Sequence, residues 1–149
     1  MSRKNIASRR GPRNNRQRKP VPYLQLDLPG SHPAPVKQRL AKRIGEVFAD
    51  IMQTSAEQVT VSFRELGEGN IWRCGDGDPE PAALLMCDIR HGRPAEQRGR
   101  LADALIAACV AELGLRSDRL AVEFTQHAGD EMYKAERGGF NADWSAGEA

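Results

Sequence analysis

Apolar and polar residues alternate in two stretches of this chain that flank a segment with helical spacing. Leu24, Leu26 and Leu28 alternate with Tyr, Gln and Asp, the period of a strand with one buried face. Residues 59–63 alternate in the same way. Between them, apolar residues recur every three or four positions, from Leu40 to Ile51, which predicts an amphipathic helix. The order of these elements predicts a β-α-β unit.

The same unit occurs again 61 residues further along the chain, without a gap. Arg39-Leu40-Ala41 matches Arg100-Leu101-Ala102, and Asp27 matches Asp88. The register stays constant from the first strand through the helix to the second strand, so the match indicates an internal repeat. The repeat units span about residues 22–66 and 83–127.

The second copy predicts its own elements in the same order. A strand runs from Leu85 to Ile89, a helix covers about residues 95–113, and a strand runs from Leu120 to Phe124. Pro94 suits the start of this helix because the first helical N–H groups have no intrahelical partner. Gly114 suits its C-terminal end.

Two β-α-β units predict an α+β fold: a tandem repeat forming a four-stranded sheet with both helices on one face. The domain covers residues 22–149 and closes with a C-terminal segment, residues 128–149. The second face of the sheet has no cover within the chain and needs a partner, so we expect a homo-oligomer. Its side chains form a mixed set: Tyr23, Gln25, Asp27, Thr60, Ser62, Met86, Asp88 and Glu123.

Residues 1–21 differ from the rest of the chain in charge. Residues 1–20 carry eight Lys and Arg and no acid, whereas the whole chain has 22 basic and 20 acidic residues. We expect a disordered basic extension on an acidic domain. If retained, it would bind RNA or DNA through phosphates. Two alternatives are removal by processing and a translation start at Val21, which directly precedes Pro22.

Two other classes of protein are disfavoured by composition. No apolar run approaches the roughly 20 residues of a membrane span, and the N-terminus lacks an apolar signal core, so we expect a cytoplasmic protein without membrane contact. The three cysteines form no CxxC pair, and Asp76-Gly77-Asp78 lacks the rest of a calcium loop, so no metal site is expected. Cys87 and Cys109 lie in apolar stretches, which predicts buried free thiols.

Several motifs together resemble the tautomerase superfamily, which has the 4-oxalocrotonate tautomerase (4-OT) and MIF fold. They are Pro22 at the start of the first strand, the stretch 61–65, Gly69-Asn70-Ile71-Trp72, and Arg90-His91-Gly92-Arg93 before a helix. Their order and spacing are most similar to the long-chain branch of cis-3-chloroacrylic acid dehalogenase, over about residues 22–145. The resemblance implies a trimer whose sheets pack inward.

The resemblance also implies a catalytic site that uses no metal or organic cofactor. Pro22 would be the general base, and Arg90 and Arg93 would bind the carboxylate of a small 2-keto or unsaturated acid. A proline inside a chain has no basic nitrogen, whereas α-amino groups titrate near pH 8, at about 7.7–8.0. The implied activity is therefore that of a tautomerase, an isomerase that needs Pro22 as the mature N-terminus.

The repeat sets these three residues apart from the structural requirements of the unit. Arg90 and Arg93 correspond to Pro29 and His32, and Pro22 corresponds to Ala83. The residues that break the symmetry of the repeat are those that the chemistry would need.

Four further residues are candidates for substrate binding. Asn70 and Trp72 would line the mouth of the site, although Trp72 would equally suit simple packing. His127 would be a second acid or base, with an exposed loop histidine as the alternative, and Lys134 would add a third cation. Glu123 would orient a water molecule or form an ion pair between subunits.

Two other functions are alternatives to the tautomerase. A hydratase or dehalogenase of the same superfamily needs a carboxylate that activates water. Lys134 lies near the position where the dehalogenase has a glutamate, and Phe48 replaces its helix histidine, so both residues disfavour this function. The second alternative is a catalytically silent protein of this fold with a nucleic-acid-binding arm.

Overall fold

The computed structural model describes residues 22–135 and 138–140. The basic extension predicted for residues 1–21 lies outside the described residues, and the domain boundaries stay predictions. The regular elements are β1 (Tyr23–Leu28), α1 (Ala34–Met52), β2 (Thr60–Glu65), β3 (Trp72–Arg73), β4 (Glu80–Pro81), β5 (Ala83–Arg90), α2 (Ala95–Leu113), β6 (Leu120–His127), β7 (Tyr133–Lys134) and β8 (Gly139–Phe140).

Four strands form one sheet in the order β2-β1-β5-β6. β1 pairs in parallel with β2, and β5 pairs in parallel with β6, as two crossover units require. The two units meet through an antiparallel pair, β1 and β5, in which Tyr23 lies opposite Asp88. The predicted α+β fold is confirmed, and the antiparallel centre brings the start of β1 to the end of β5.

Both helices pack on the same face of this sheet. Leu24, Leu26 and Leu28 are fully buried, and they share one core cluster with Leu40 of α1 and Leu101 of α2. The helices also contact each other. Each helix ends at a left-handed residue, Gln53 (φ 56°) after α1 and Gly114 (φ 67°) after α2. No helix among the described residues combines the length and apolarity needed to cross a membrane.

The other face of the sheet carries the polar side chains expected there. The Tyr23 hydroxyl and Ser62 Oγ lie 2.7 Å apart, and Gln25 Nε2 donates to Asp27 Oδ1 at 3.2 Å. Arg64 Nε lies 3.6 Å from the same Asp27 oxygen. Hydrogen bonds and ion pairs thus connect the side chains of neighbouring strands across this face.

Two short hairpins were not predicted from the sequence. β3 pairs with β4 and β7 pairs with β8, each strand having two residues. In the second hairpin Tyr133 and Phe140 contact edge to face, with ring centroids 5.0 Å apart. A two-residue strand contains no repeated period, so alternation could not reveal it.

Replacing a central leucine tests the assignment of the two faces. We expect Leu26→Ala to lower the free energy of unfolding by about 2–5 kcal/mol, because it leaves a cavity in the core. Leu84→Ala is the matched control, since Leu84 lies on the adjacent strand, half-buried and facing away from the helices. Urea denaturation followed by circular dichroism measures both, and equal losses would contradict the assignment.

Candidate active site

The starts of β1 and β2 and the ends of β5 and β6 meet at one edge of the sheet. The Thr60 N–H donates to the Pro22 carbonyl at 3.1 Å. Because Tyr23 lies opposite Asp88, Pro22 is close to the last residues of β5, where Arg90 lies. Arg90 in turn lies opposite His127 on β6. Three predicted site residues are therefore brought to one edge by the strand register.

Pro22 is held by the core rather than by polar contacts of its ring. Its side chain is fully buried, and strand alternation places it on the face of Leu24 and Leu26. Its nitrogen is the atom through which the domain joins residues 1–21. The ring thus fixes the position of that nitrogen at the edge of the sheet.

Arg90 is a cation in an almost fully buried position. It is 4% exposed, and burial lowers the pKa of its guanidinium, while the charge of Asp130 acts in the opposite direction. A guanidinium can bind a carboxylate through two parallel charge-assisted hydrogen bonds, which are stronger than neutral ones. The position is therefore compatible with a carboxylate-binding arginine.

His127 is the last residue of β6 and is bonded to a carboxylate. Its Nδ1 lies 2.7 Å from Asp88 Oδ1, and its side chain is only 10% exposed. It is therefore not an exposed loop histidine, the alternative suggested by the sequence. The bond to Asp88 fixes the orientation of the ring beside Arg90.

Arg93 lies at the same edge but contacts a helix. Its Nη1 donates to the Met52 carbonyl at 2.6 Å, at the C-terminal end of α1. Its own carbonyl accepts a hydrogen bond from Arg98 Nε at 3.3 Å. Burial lowers the pKa of the Arg93 guanidinium. Carbonyls at a helix C-terminus lack helical donors and carry partial negative charge, so Arg93 stabilises the end of α1.

This contact predicts that Arg93 contributes to folding. We expect Arg93→Met to lower the free energy of unfolding by about 1–3 kcal/mol, because the buried Met52 carbonyl loses its donor. Urea denaturation measures the loss. Arg100→Met, an exposed position on α2, is the control and should leave stability unchanged. If the two variants unfold alike, the contact to Met52 is not stabilising.

Asn70 and Trp72 lie near the other edge of the sheet. They follow the end of β2, which runs parallel to β1, and the six residues of β2 span about 20 Å at roughly 3.3 Å each. Asn70 Nδ2 donates to the Leu66 carbonyl at 2.7 Å, and Trp72 Nε1 donates to the Gly69 carbonyl at 2.9 Å. Within one chain the structure does not bring them to Pro22.

Lys134 lies after a short turn that follows His127, at the edge of the sheet that carries Arg90. β6 ends at His127, a 3-10 turn covers Gly129–Glu131, and Lys134 closes β7, half-buried. Asp130 in this turn is close enough to Arg90 for its charge to act on it. The segment after β6 therefore belongs to the same region as Arg90.

Gln58 is a residue of this edge that sequence reasoning missed. It precedes β2, it is 3% exposed, and its Oε1 has no hydrogen-bond partner among the described residues. A buried amide oxygen without a donor costs about 1–3 kcal/mol, which favours a role in binding a donor group. The repeat offers the only signal, since Gln58 corresponds to Arg119 and both copies are polar there.

The two buried cysteines are neutral thiols, and the acidic residues that the structure describes form no metal cluster. Burial raises the pKa of Cys87 to about 12 and that of Cys109 to about 11, so both thiols stay neutral, in agreement with the predicted burial. Among residues 22–135 and 138–140, no three His, Cys, Asp or Glu side chains come together as a metal site would require.

Comparison with known proteins gives similarity at the level of structure. No family model matches the chain, and no curated protein sequence does. A solved structure of Pt0534 inactivated by 2-oxo-3-pentynoate has a TM-score of 0.67 and 23% identity, covering 84% of this chain and 96% of that one.

Two further structures are similar to the same extent. A symmetric trimer of wild-type fused 4-OT has a TM-score of 0.68 and 22% identity, covering 83% of this chain and 95% of its own. N1, a member of the cis-3-chloroacrylic acid dehalogenase family, has a TM-score of 0.67 and 21% identity, covering 75% and 79%. The resemblance to the tautomerase superfamily is confirmed at this level, and the chain has the fold of that superfamily.

Proposed function

We propose that this protein is a cofactor-independent tautomerase that transfers a proton between the keto and enol forms of a small 2-keto or unsaturated carboxylate. It acts once Pro22 is the first residue. The observation that carries the proposal is the antiparallel pairing of β1 with β5, through which Pro22 and the buried Arg90 share one edge of the sheet.

Pro22 and Arg90 divide the chemistry between them. The secondary amine of an N-terminal Pro22 accepts a proton from the substrate and returns it to the other end of the enol system. Apolar surroundings and a nearby cation favour the neutral amine, which is the form that can act as a base. Arg90 binds the carboxylate and stabilises the negative charge that develops on the enolate oxygen. His127, oriented by Asp88, is available to bind the carbonyl oxygen.

Properties of the similar structures support the substrate class. The inhibitor of Pt0534, 2-oxo-3-pentynoate, combines a 2-oxo group with a carboxylate. A ligand of this kind has the carboxylate for Arg90 and the carbonyl oxygen at which charge develops. We place the enzyme in the cytoplasm.

A homotrimer would complete the site. Fused 4-OT forms a symmetric trimer, and the polar face of the sheet in this chain has no cover among the described residues. Asn70 and Trp72 lie about a strand length from Pro22 in the same chain. In the proposed trimer they reach a Pro22 site from a neighbouring copy. Arg93 lies at the Pro22 edge of its own chain and would join the site if its guanidinium exchanged the Met52 carbonyl for substrate.

A substrate panel tests the function. The chain beginning at Pro22 should speed the ketonisation of an enolised arylpyruvate, or of a 2-hydroxydienoate, measured as the loss of ultraviolet absorbance. Chloride release from a 3-chloroacrylate would instead indicate the hydratase or dehalogenase. If neither occurs and the full chain binds RNA in a salt-dependent way that removal of residues 1–20 abolishes, the protein is a silent member of the fold.

A further inference from the structure

A cavity lies at the edge of the sheet opposite to Pro22, next to the start of β5. Its volume is about 300 Å³, and its wall is largely apolar, with Pro29, Ala83 and Leu115 among the lining residues. Arg119 and Glu80 also line it. It is distinct from the Pro22 edge because β1 and β5 are antiparallel, so the start of one strand is far from the start of the other.

The internal repeat relates this cavity to the candidate active site. With the offset of 61 residues, Ala83 corresponds to Pro22 and Pro29 corresponds to Arg90. Gly114 at the cavity corresponds to Gln53, and both residues close a helix in the left-handed conformation. The backbone around the cavity therefore resembles that around Pro22. The cavity lacks the counterparts of Pro22, the proposed base, and of the buried Arg90.

Arg119 provides a cation in the wall of this cavity. Its Nε is buried and has no hydrogen-bond partner in the part of the chain that the structure describes. Its Nη2 forms an ion pair with Glu80, and the two side chains are 29% and 49% exposed. Ion pairs that are exposed to this degree contribute only about 0–1 kcal/mol, so a competing carboxylate can displace Glu80.

The neighbouring groups keep Arg119 in place and available. Arg73 Nη1 donates to the Asp118 carbonyl at 2.9 Å, which ties the β3–β4 hairpin to the turn that carries Arg119. Arg116 is already bonded to the Asp118 carboxylate through two nitrogens, at 3.0 and 2.6 Å. The Arg116 side chain is 67% exposed and that of Arg119 is 29% exposed, so Arg119 is the more buried cation of the cavity.

We propose that this cavity is a second binding site for a small carboxylate with an apolar body, at which no reaction takes place. The ligand carboxylate replaces that of Glu80 on Arg119 and bonds to the Nε and Nη2 edge of the guanidinium, the geometry of strong arginine–carboxylate pairs. Its apolar body packs on Pro29, Ala83 and Leu115. The nitrogen of Ala83 is a peptide amide, so the cavity offers no amine base in the place of Pro22.

Calorimetric titration of the full chain with benzoate tests the site. Benzoate has a carboxylate, an apolar ring and no carbon that can enolise, so its binding does not depend on the proposed tautomerase activity. We expect Glu80→Gln to tighten benzoate binding about five- to tenfold, because the neutral amide competes less for Arg119. Glu46→Gln removes the carboxylate of another exposed ion pair, with Lys42, and should leave binding unchanged.

Further variants assign the benzoate to this cavity. In the Glu80→Gln background, Arg119→Gln should abolish the added binding, whereas Arg116→Gln and Arg90→Gln should leave it. Amide resonances of Ala83 and Leu115 should shift on titration. The proposal is overturned if Glu80→Gln binds benzoate no better than the native chain. It is equally overturned if the added binding survives Arg119→Gln while circular dichroism shows that variant to be folded.

Discussion

Inserting one alanine before Pro22, in a chain that otherwise begins there, lowers kcat for ketonisation by a factor of about 10²–10⁴, the usual contribution of a general base. The insertion changes no side chain of the domain. It converts the secondary amine of Pro22 into an amide without a basic lone pair. KM should change little, because Arg90 still binds the carboxylate. Stopped-flow or steady-state absorbance of an arylpyruvate enol measures both constants.

Two further proteins test whether the loss of activity comes from the chemistry of the Pro22 nitrogen. Pro22→Ala keeps an α-amino group but loses the buried ring that positions it, so most of the activity should be lost there as well. The full chain carries an acylated Pro22 and should resemble the alanine insertion. Full activity in a full-length chain whose intact mass proves that residues 1–21 are present would refute the role of Pro22.

Replacing Arg90 by methionine should lower kcat/KM by about 10²–10³, as expected for the loss of a preorganised charge that stabilises an oxyanion. Methionine removes the charge and shortens the side chain. Urea denaturation and circular dichroism are therefore measured beside the kinetics, so that activity is compared between folded proteins. The effect should appear in KM as well as in kcat, because the carboxylate is bound in both the ground state and the transition state.

Arg39→Met is the control for Arg90→Met. Arg39 is an exposed arginine of α1 paired with Glu112 at 3.0 Å, far from the proposed chemistry, and its replacement should leave the kinetic constants unchanged. The role of Arg90 would be wrong if the Arg90→Met enzyme, folded as judged by circular dichroism, kept activity within about twofold of the native enzyme.

The sequence was sufficient to predict the repeating units but not how they join. The leucines of β1 and the spacing from Leu40 to Ile51 specify strand and helix, because each face must be buried. A crossover helix also specifies that β1 and β2 are parallel. Nothing in the repeat tells which strands meet at the centre, and the antiparallel β1–β5 pair is what brings Pro22 to Arg90.

The positions of the candidate residues follow from the sequence where they depend on strand ends, and do not where they depend on side-chain direction. Arg90 and His127 end their strands, so their positions follow from the register. Arg93 lies in a loop, and its bond to the Met52 carbonyl depends on a side-chain path that no spacing reveals. The distance of Trp72 from Pro22, by contrast, follows from the parallel β1–β2 pair and could have been predicted from the sequence.

The pseudo-twofold relation between the two halves has a consequence for catalytic capacity. A polypeptide has a single amino terminus, so an N-terminal proline can serve only one of two repeated units joined in one chain. However many chains assemble, the number of reactive secondary amines equals the number of chains and not the number of units. With Pro22 as the proposed base, the start of β5 has no part in that chemistry, and Ala83, with its peptide nitrogen, is compatible with the binding proposed for that half.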